Sequence, residues 1–277
     1  MEDFIAIIVL YKIKLIESKT FLSLSAALNN SQTSIDLVVY DNSPVFNQGD
    51  EFNSYKNFNI IYIPDLLNSG VSKAYNKGVE FASQMNKKWV LLLDQDTEFP
   101  DNTLQSYLSA IKEYPEKKIF APIMFVNESK IISPFRYMFM RGFSLKFIEP
   151  GINSFNKYSL INCGLCVNVE AFLINGGYNE LIKLDFSDHD FIKRFKKSVS
   201  DKFVVIDLRV KHELSSETNN SLTSDLVRFD YYLEGAGYIS SSLKEKFFLK
   251  LNATLRCVKL TLLHRNLGFL IKLFKWL

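Results

Sequence analysis

The sequence predicts an α/β fold: a mostly parallel sheet with helices on both faces, followed by a helical, amphipathic C-terminal extension. Three observations lead there. Short apolar runs without charge alternate with stretches of helical periodicity through the first hundred residues, the rhythm of strand–helix–strand units. The runs are apolar throughout rather than alternating, as strands buried on both faces are. From Ser241 onward apolar residues recur at helical spacing among lysines and arginines, the pattern of an amphipathic helix.

The elements follow in order. Phe4 to Tyr11 (FIAIIVLY) reads as a buried strand, and Ile13 to Asn29 as a helix with Leu15, Leu22 and Ala26 on one side. Ile35 to Tyr40 is a second strand, cut off by the turn Asp41-Asn42-Ser43-Pro44. Asn59 to Ile63 is a third, stopped by Pro64. Gly70 to Asn86 is helical, with Val71, Ala74, Gly78, Phe81 and Met85 in phase. Trp89 to Leu93 (WVLLL) is a fourth strand and runs into Asp94-Gln95-Asp96. Beyond Pro100 the pattern is mixed. It reads as a helix from Asp101 to Tyr114, strands at Ile119 to Val126 and Leu160 to Val167, and a short helix closed by Gly176-Gly177. A helix from Asp188 to Lys197 and strands Phe203 to Asp207 and Leu208 to His212 complete it. The expected division is one domain over residues 1–235, with halves meeting near residue 100, and a tail over 236–277.

Composition excludes several classes. Of 277 residues, 47% are hydrophobic and 23% charged, with 11 Gly and 7 Pro, which rules out disordered or collagen-like chains. The net charge of +3 hides an asymmetry. Residues 241–277 hold eight Lys/Arg against Glu245, a net +7, so the rest sums to −4. A basic tail on an acidic body calls for an anionic partner. Cys163, Cys166 and Cys257 cannot build a disulfide framework and fit a reducing compartment. The C-x-x-C of Cys163 and Cys166 lacks a second zinc pair and lies in an apolar run, so both read as core residues. Glu2 and Asp3 stand where a signal peptide needs basic residues. No uncharged run reaches the roughly 18 residues of a membrane span. The expected location is the cytoplasm, free or attached to the inner face of the membrane.

In parallel α/β sheets ligands bind beyond the carboxyl ends of the strands. Those ends deliver Tyr11, Asp41, Asp94 and Asp96. Two carboxylates one residue apart, just past a buried strand, can share a hard divalent cation. Without one, crowding like charges is unfavourable. A metal there would stabilise a diphosphate leaving group. Asp41 suits either of two roles, turn formation or accepting a hydrogen bond from a nucleobase. In Asn68-Ser69-Gly70-Val71-Ser72-Lys73-Ala74-Tyr75-Asn76 a helix begins among polar and small residues. Free N–H groups at such a start attract phosphate, and Lys73 adds charge; capping by Asn68 or Ser69 is the alternative.

The runs VVYDNS, NSGVSKAYNKG and WVLLLDQDTEFP together resemble the inverting family 2 glycosyltransferases of the GT-A fold. DQDT is most similar to the bacterial rhamnosyltransferase branch. The resemblance continues in SLINCGLCVNVEAFLINGGYNE and in LDFSDHDFIKRF, where Asp185, Asp188, Asp190 and Arg194 match the branch's spacing. It ends at Val210-Lys211-His212-Glu213-Leu214, and so covers residues 4 to about 214. It implies that Asp41 contacts the donor's base and that Asn68, Gly70, Lys73 and Asn76 frame the nucleotide, with Tyr11 beside it. It implies that Asp94 and Asp96 serve Mn²⁺ or Mg²⁺ and the diphosphate, with His212 near the metal. Asp188 becomes the general base on the acceptor hydroxyl, and Asp190 and Arg194 shape that site. The chemistry agrees: one metal for the leaving group and one base suffice for a single inverting displacement. Asp185 and Asp190 are expected to raise the proton affinity of Asp188. Two departures stand out. Ser187 precedes Asp188 where Glu or Val is usual. Tyr231-Tyr232 is followed by Leu233-Glu234-Gly235-Ala236 instead of a segment carrying Arg-Asn, which leaves the donor sugar open.

In the tail Leu263, Leu267, Leu270, Phe274 and Leu277 fall on one helical face, with Arg265, Lys272 and Lys275 opposite. Such a helix suits an anionic membrane surface, or packs on the domain or on a second subunit as a homodimer. Nucleic acid is disfavoured by the acidic body and the lack of a recognition motif. The reading is therefore a metal-dependent glycosyltransferase. It takes a nucleotide-diphosphate sugar, dTDP-rhamnose or a UDP-hexose or UDP-N-acetylhexosamine. It adds the sugar to a lipid-linked glycan such as O-antigen or capsule. A nucleotidyltransferase would need a Gly-rich loop where Tyr11-Lys12-Ile13-Lys14 stands. A non-catalytic membrane scaffold would not need Asp94, Asp96 and Asp188 together.

Overall fold

Strand β1 (Phe4–Leu10) lies between two parallel neighbours, and its side chains divide by parity. Ile5 and Ile7 enter one core; Phe4, Ala6, Ile8 and Leu10 enter the other. Each fully buried Ile, Leu or Phe contributes about 1.5–3 kcal/mol relative to exposure, so the strand is anchored from both faces. The computed structural model describes residues 2–45, 55–126, 130–212 and 221–277. After β1 come a 3₁₀ turn (Leu15–Glu17), helix α1 (Lys19–Ser31), β2 (Ile35–Asp41), β3 (Phe58–Pro64), α2 (Val71–Gln84) and β4 (Trp89–Asp94). These strands run parallel in the order β3-β2-β1-β4.

The second half extends the same sheet. It holds β5 (Thr97–Glu98), α3 (Thr103–Glu113), β6 (Ile119–Val126), the hairpin of β7 (Lys130–Met138) and β8 (Arg141–Leu145), and β9 (Gly151–Ser154). Then come β10 (Cys166–Asn168), α4 (Val169–Ile174), α5 (Ser187–Ser198) and β11 (Lys202–His212). Strand β10 runs antiparallel between β4 and β6, and β11 pairs parallel with β6. Helices α2, α4 and α5 cover one face through Tyr75, Phe172 and Phe191. Helices α1 and α3 cover the other through Phe21, Leu28 and Tyr107. Three helices close the chain: α6 (Leu222–Ile239), α7 (Leu243–His264) and α8 (Gly268–Trp276). They bury Phe229, Leu249, Ala253, Cys257 and Phe269 in a third core with Ile182 and Phe186. This helical unit begins fourteen residues before the expected boundary at 236.

The structure corrects several expected elements. Ser18 caps α1 by accepting from the Phe21 N–H, so the helix starts six residues late and out of phase. Its inner face is Phe21, Leu24 and Leu28, while Leu22 is exposed. The run Leu160 to Val167 is not a strand until Cys166. Gly164 has a φ of +77° and donates to the Leu92 carbonyl, and the Leu165 N–H turns back to Asn162. The two strands expected after Phe203 are one, with a register shift between Val205 and Arg209. The β7–β8 hairpin carries no strong strand pattern in sequence.

Candidate active site

The turn after β4 is held from three sides. The Ser18 hydroxyl donates to the Gln95 carbonyl at 2.9 Å, and the Thr20 hydroxyl donates to the Asp94 carbonyl at 2.5 Å. The Asp94 N–H donates to Cys163 Sγ at 3.3 Å. The start of α1 thus fixes the backbone that presents both acids. Strand β11 ends opposite this turn, with His212 paired to Thr97. Thr97 Oγ1 lies 2.7 Å from His212 Nδ1 and 3.0 Å from Cys163 Sγ. His212 Nδ1 is 3.5 Å from Asp96 Oδ1.

One ligand atom each from Asp94, Asp96 and His212 lies within 4.8 Å of the others. Two carboxylates and an imidazole suit a divalent cation such as Mn²⁺. Thr97 orients the histidine as an outer partner of the cluster. Burial pushes the Asp94 carboxyl above its usual range, and the charge of Asp188 adds to this; His212 and the Tyr75 hydroxyl work against it. Cys163 lies behind the cluster, against Thr97 and the Asp94 N–H. Burial, then the Asp94 charge, pushes its thiol well up. Cys166 is likewise buried in the sheet. Both are core residues, as expected.

Helix α2 reaches the cluster through Tyr75, whose hydroxyl donates to Asp94 Oδ1 at 2.8 Å. Its N-terminus gives its first N–H to another part of the chain. The Val71 N–H donates to the Lys183 carbonyl at 2.8 Å, and the Ser72 hydroxyl to the Ile182 carbonyl. Gly70 permits this approach: its φ is +95°, and a Cβ there would strike the Lys183 backbone. Asn68 also adopts a positive φ, 48°, in a turn built on Asp65. Burial works against the Asp65 charge, yet hydrogen bonds from Ser69, Tyr40 and Leu67 hold its carboxyl below the usual value. Lys73 Nζ is 3.4 Å from Ser69 Oγ, at the rim. Asn76 faces the second half of the chain. Its amide accepts from the Tyr178 N–H and donates to the Tyr178 carbonyl and to Glu180.

At the end of β2, Asp41 is fully buried. Its Oδ1 accepts from the Ser43 N–H at 2.9 Å and its Oδ2 from the Tyr62 hydroxyl at 2.7 Å. Of the two roles left open by sequence, these contacts describe the turn-forming one. Tyr11 is exposed at the end of β1. Its N–H donates to Gln95 Oε1 at 2.7 Å, and Lys12 Nζ lies 4.9 Å from its ring.

Asp188 sits in the first turn of α5, which is entered through Phe186 in the left-handed region at φ +76°. Asp188 Oδ1 accepts from the His189 N–H at 2.7 Å. The His189 ring packs on Tyr137 of β7, centroids 4.2 Å apart. Asp190 pairs with Arg194 through Nε and Nη2, both at 2.8 Å, and Arg194 Nη1 donates to the Asn175 carbonyl. Asp190 and Arg194 thus anchor α5 to the end of α4. Asp185 pairs with Arg256 at 3.3 Å and with Arg228 at 3.8 Å. Asp185 and Asp190, the acids on either side of Asp188, thus each face arginine.

A chain of contacts joins the two acid sites. Asp94 accepts from Tyr75, whose ring lies 5.4 Å from that of Tyr178. The Tyr178 hydroxyl donates to Asn162 Oδ1 at 2.8 Å, and Asn162 donates to Ser187 Oγ at 3.0 Å. Sequence reasoning missed Tyr75, Tyr178, Asn162 and Thr97. Asn162 did carry a signal, as a polar residue inside an apolar run. His212 is in place, whereas Glu213 and Leu214 of the same motif lie outside the described residues.

Comparison with known proteins matches residues 18–167 to the family described as Glycosyl transferase family 2. The chain belongs to this family. It is 22% identical over 183 residues to the dTDP-rhamnosyl transferase RfbF of Shigella flexneri, covering 66% of this chain and 61% of that protein. The chain thus spans about three-fifths of the length of that curated relative. Among solved structures it resembles S. aureus TarS, with TM-score 0.58, 16% identity, and coverage of 92% of this chain and 43% of that one. GalNAc-T7 with UDP, GalNAc and Mn²⁺ gives TM-score 0.58 and 12% identity, covering 88% and 53%. TarS residues 1–349 in complex with UDP-GlcNAc give TM-score 0.54 and 15% identity, covering 91% and 71%. These likenesses establish the GT-A fold.

The family 2 match ends at Val167, so α5 and the C-terminal helices lie beyond it. The single apolar face expected over 263–277 does not form. Arg265 takes a left-handed conformation at φ 49° and separates α7 from α8. Leu263, Leu267, Phe274 and Leu277 are exposed, whereas Phe269 and Leu273 pack inward. Among the described residues no helix is long and apolar enough to cross a membrane.

Proposed function

We propose that the chain transfers a sugar from a nucleotide diphosphate donor to a glycan acceptor with inversion. The observation that carries this reading is the Asp94, Asp96 and His212 cluster, joined through Tyr75, Tyr178, Asn162 and Ser187 to the helix start that holds Asp188. Asp94, Asp96 and His212 would hold Mn²⁺ or Mg²⁺, which when bound supplies positive charge for the departing diphosphate. Asp188 takes the proton from the acceptor hydroxyl as it attacks. Asp190 and Arg194 keep the start of α5 in place. Tyr11, Gly70 and Lys73 border the donor. Asp41, Asn68 and Asn76 act from behind, by setting the turns on which the donor rests.

The relative acting with a dTDP-rhamnosyl group supports dTDP-rhamnose; the neighbours with UDP and UDP-GlcNAc support a UDP-sugar. The acceptor is a lipid-linked bacterial glycan such as O-antigen or capsule, met at the inner membrane face by a peripheral protein. The basic C-terminal helices support that placement. The test is a thermal-shift panel of dTDP- and UDP-sugars with and without Mn²⁺ or Mg²⁺, since a ligand of the folded state raises the midpoint. A metal-dependent rise with one nucleotide class, absent in Asp96→Ala, supports the reading. No rise with any of them in folded protein overturns it in favour of a non-catalytic scaffold.

A further inference from the structure

Helix α7 has two faces of opposite burial. Leu249, Ala253 and Cys257 point inward and are buried. On the opposite side Phe247, Leu251, Leu255, Val258 and Leu262 form an exposed apolar stripe, with Phe247 63% and Leu262 73% exposed. At about 1.5 Å per residue the stripe, from Phe247 to Leu262, is roughly 22 Å long. Helix α8 folds back along it, bringing the Leu277 carbonyl to Lys250, and exposes Leu267, Ile271 and Phe274. On the other flank the hairpin tip joins the patch. The Phe139 ring lies 5.0 Å from Phe248, and its carbonyl accepts from Asn252. Phe139 itself is 58% exposed. An apolar surface this continuous marks an interaction site.

Charge selects the partner. Lys244, Lys246, Lys250, Lys259 and Lys275 belong to the same two helices and Arg265 joins them, whereas Arg256 and Lys272 are paired with Asp185 and Asp230. A symmetric second copy would set the lysines of this surface against one another. An anionic bilayer offers an apolar interior beneath a negative surface and satisfies both features.

We infer that the outer stripes of α7 and α8, with the β7–β8 tip, form a face that lies in an anionic bilayer surface. We infer also that this face brings Asp188 to the membrane plane. The link is short. Two residues before Phe139, Tyr137 packs on His189, the neighbour of Asp188. The hairpin therefore runs from the base to the lipid face, and a lipid-carried acceptor approaches Asp188 from that side. Only this orientation rests on the proposed role of Asp188; docking itself does not.

The test is flotation of the full chain with vesicles of phosphatidylcholine alone or with 30% phosphatidylglycerol, at low and high salt. Partition to anionic vesicles at least tenfold above neutral ones, weakened by salt, is expected. The double variant Leu251→Glu/Leu255→Glu alters only exposed positions and should lose about tenfold of that partition. Lys244→Glu/Lys259→Glu should lose the anionic preference. Phe139→Glu should weaken binding several-fold. Equal or absent partition of the wild type overturns the proposal. So does a dimer in sedimentation that Leu251→Glu/Leu255→Glu converts to monomer without any vesicle binding. Wild-type binding by Phe139→Glu overturns the orientation. None of these readouts uses activity, so failure here is separate from failure of the sugar-transfer reading.

Discussion

Arg256 Nη1 stands 3.3 Å from Asp185 Oδ1, so helix α7 is ion-paired to a residue three positions ahead of Asp188. The same guanidinium lies 4.3 Å from the Tyr232 ring, and Tyr232 packs on Phe186 at 5.0 Å. The loop that delivers the proposed base is thus gripped from the C-terminal helices. Arg256→Gln should cost about 1 kcal/mol of stability, a figure kept small by partial exposure. It should speed amide exchange over 182–188 and lower sugar transfer about tenfold, with donor binding unchanged. A double cycle with Asp185→Asn should be non-additive. Additive losses would show that the pair does not act as a unit.

Tyr75→Phe deletes one oxygen and leaves the ring packing. Asp94 then loses a hydrogen bond that favours its charge, so its carboxyl rises further from an already raised value. Metal-dependent nucleotide binding should require higher pH in the variant than in the wild type. Titrations of binding against pH that superimpose would refute this.

Asp188→Asn keeps shape and removes the proton acceptor. Transfer should fall by about 10²–10⁴, with donor affinity within about twofold in calorimetry. Normal turnover would mean that another group takes the proton.

Gly70→Ala meets two obstacles at once, a φ of +95° and the Lys183 backbone. The cost should be about 2–5 kcal/mol, from left-handed strain and overpacking, read from urea unfolding. The seam between α2 and residues 182–183 should open with it, raising exchange at Val71.

Glu245→Gln tests a pH signature. Lys193 Nζ donates to both Glu245 oxygens, at 3.0 and 2.9 Å. Burial opposes the charge, but Ser241 and Lys193 overcome it and lower the carboxyl. A lowered folded value stabilises above the unfolded one and is lost as pH falls through the folded one. Wild type should exceed the variant by about 1 kcal/mol or less at neutral pH. The gap should close below the ordinary 4.5. A gap that does not narrow as pH falls below 4.5 would assign the effect to packing.

The first half was legible because β1, β2 and β4 are buried on both faces and their turns carry acids at strand ends. WVLLL followed by DQDT places Asp94 and Asp96 without any tertiary information. Contacts across the chain were not legible. Nothing near Val71 announces that the carbonyl of Lys183, more than a hundred residues on, occupies its N–H. Nor does Asn76 reveal that its amide serves Tyr178. Periodicity misled at Leu22 because the Ser18 cap reset the phase of α1, and at 263–277 because Arg265 breaks the helix. The hairpin escaped notice because β8 is nearly all exposed and lacks the alternation of a half-buried strand.

Gly235 lets α6 approach so closely that a Cβ there would lie 2.5 Å from the Asp185 carbonyl. Exchange of parts between relatives must respect that fit. A chimera taking residues 1–100 from this chain and the remainder from a relative would need a small residue facing the incoming loop. It would also need a carbonyl placed to meet Val71. The natural unit of exchange is therefore the loop 182–188 together with α6 and α7, not the C-terminal helices alone.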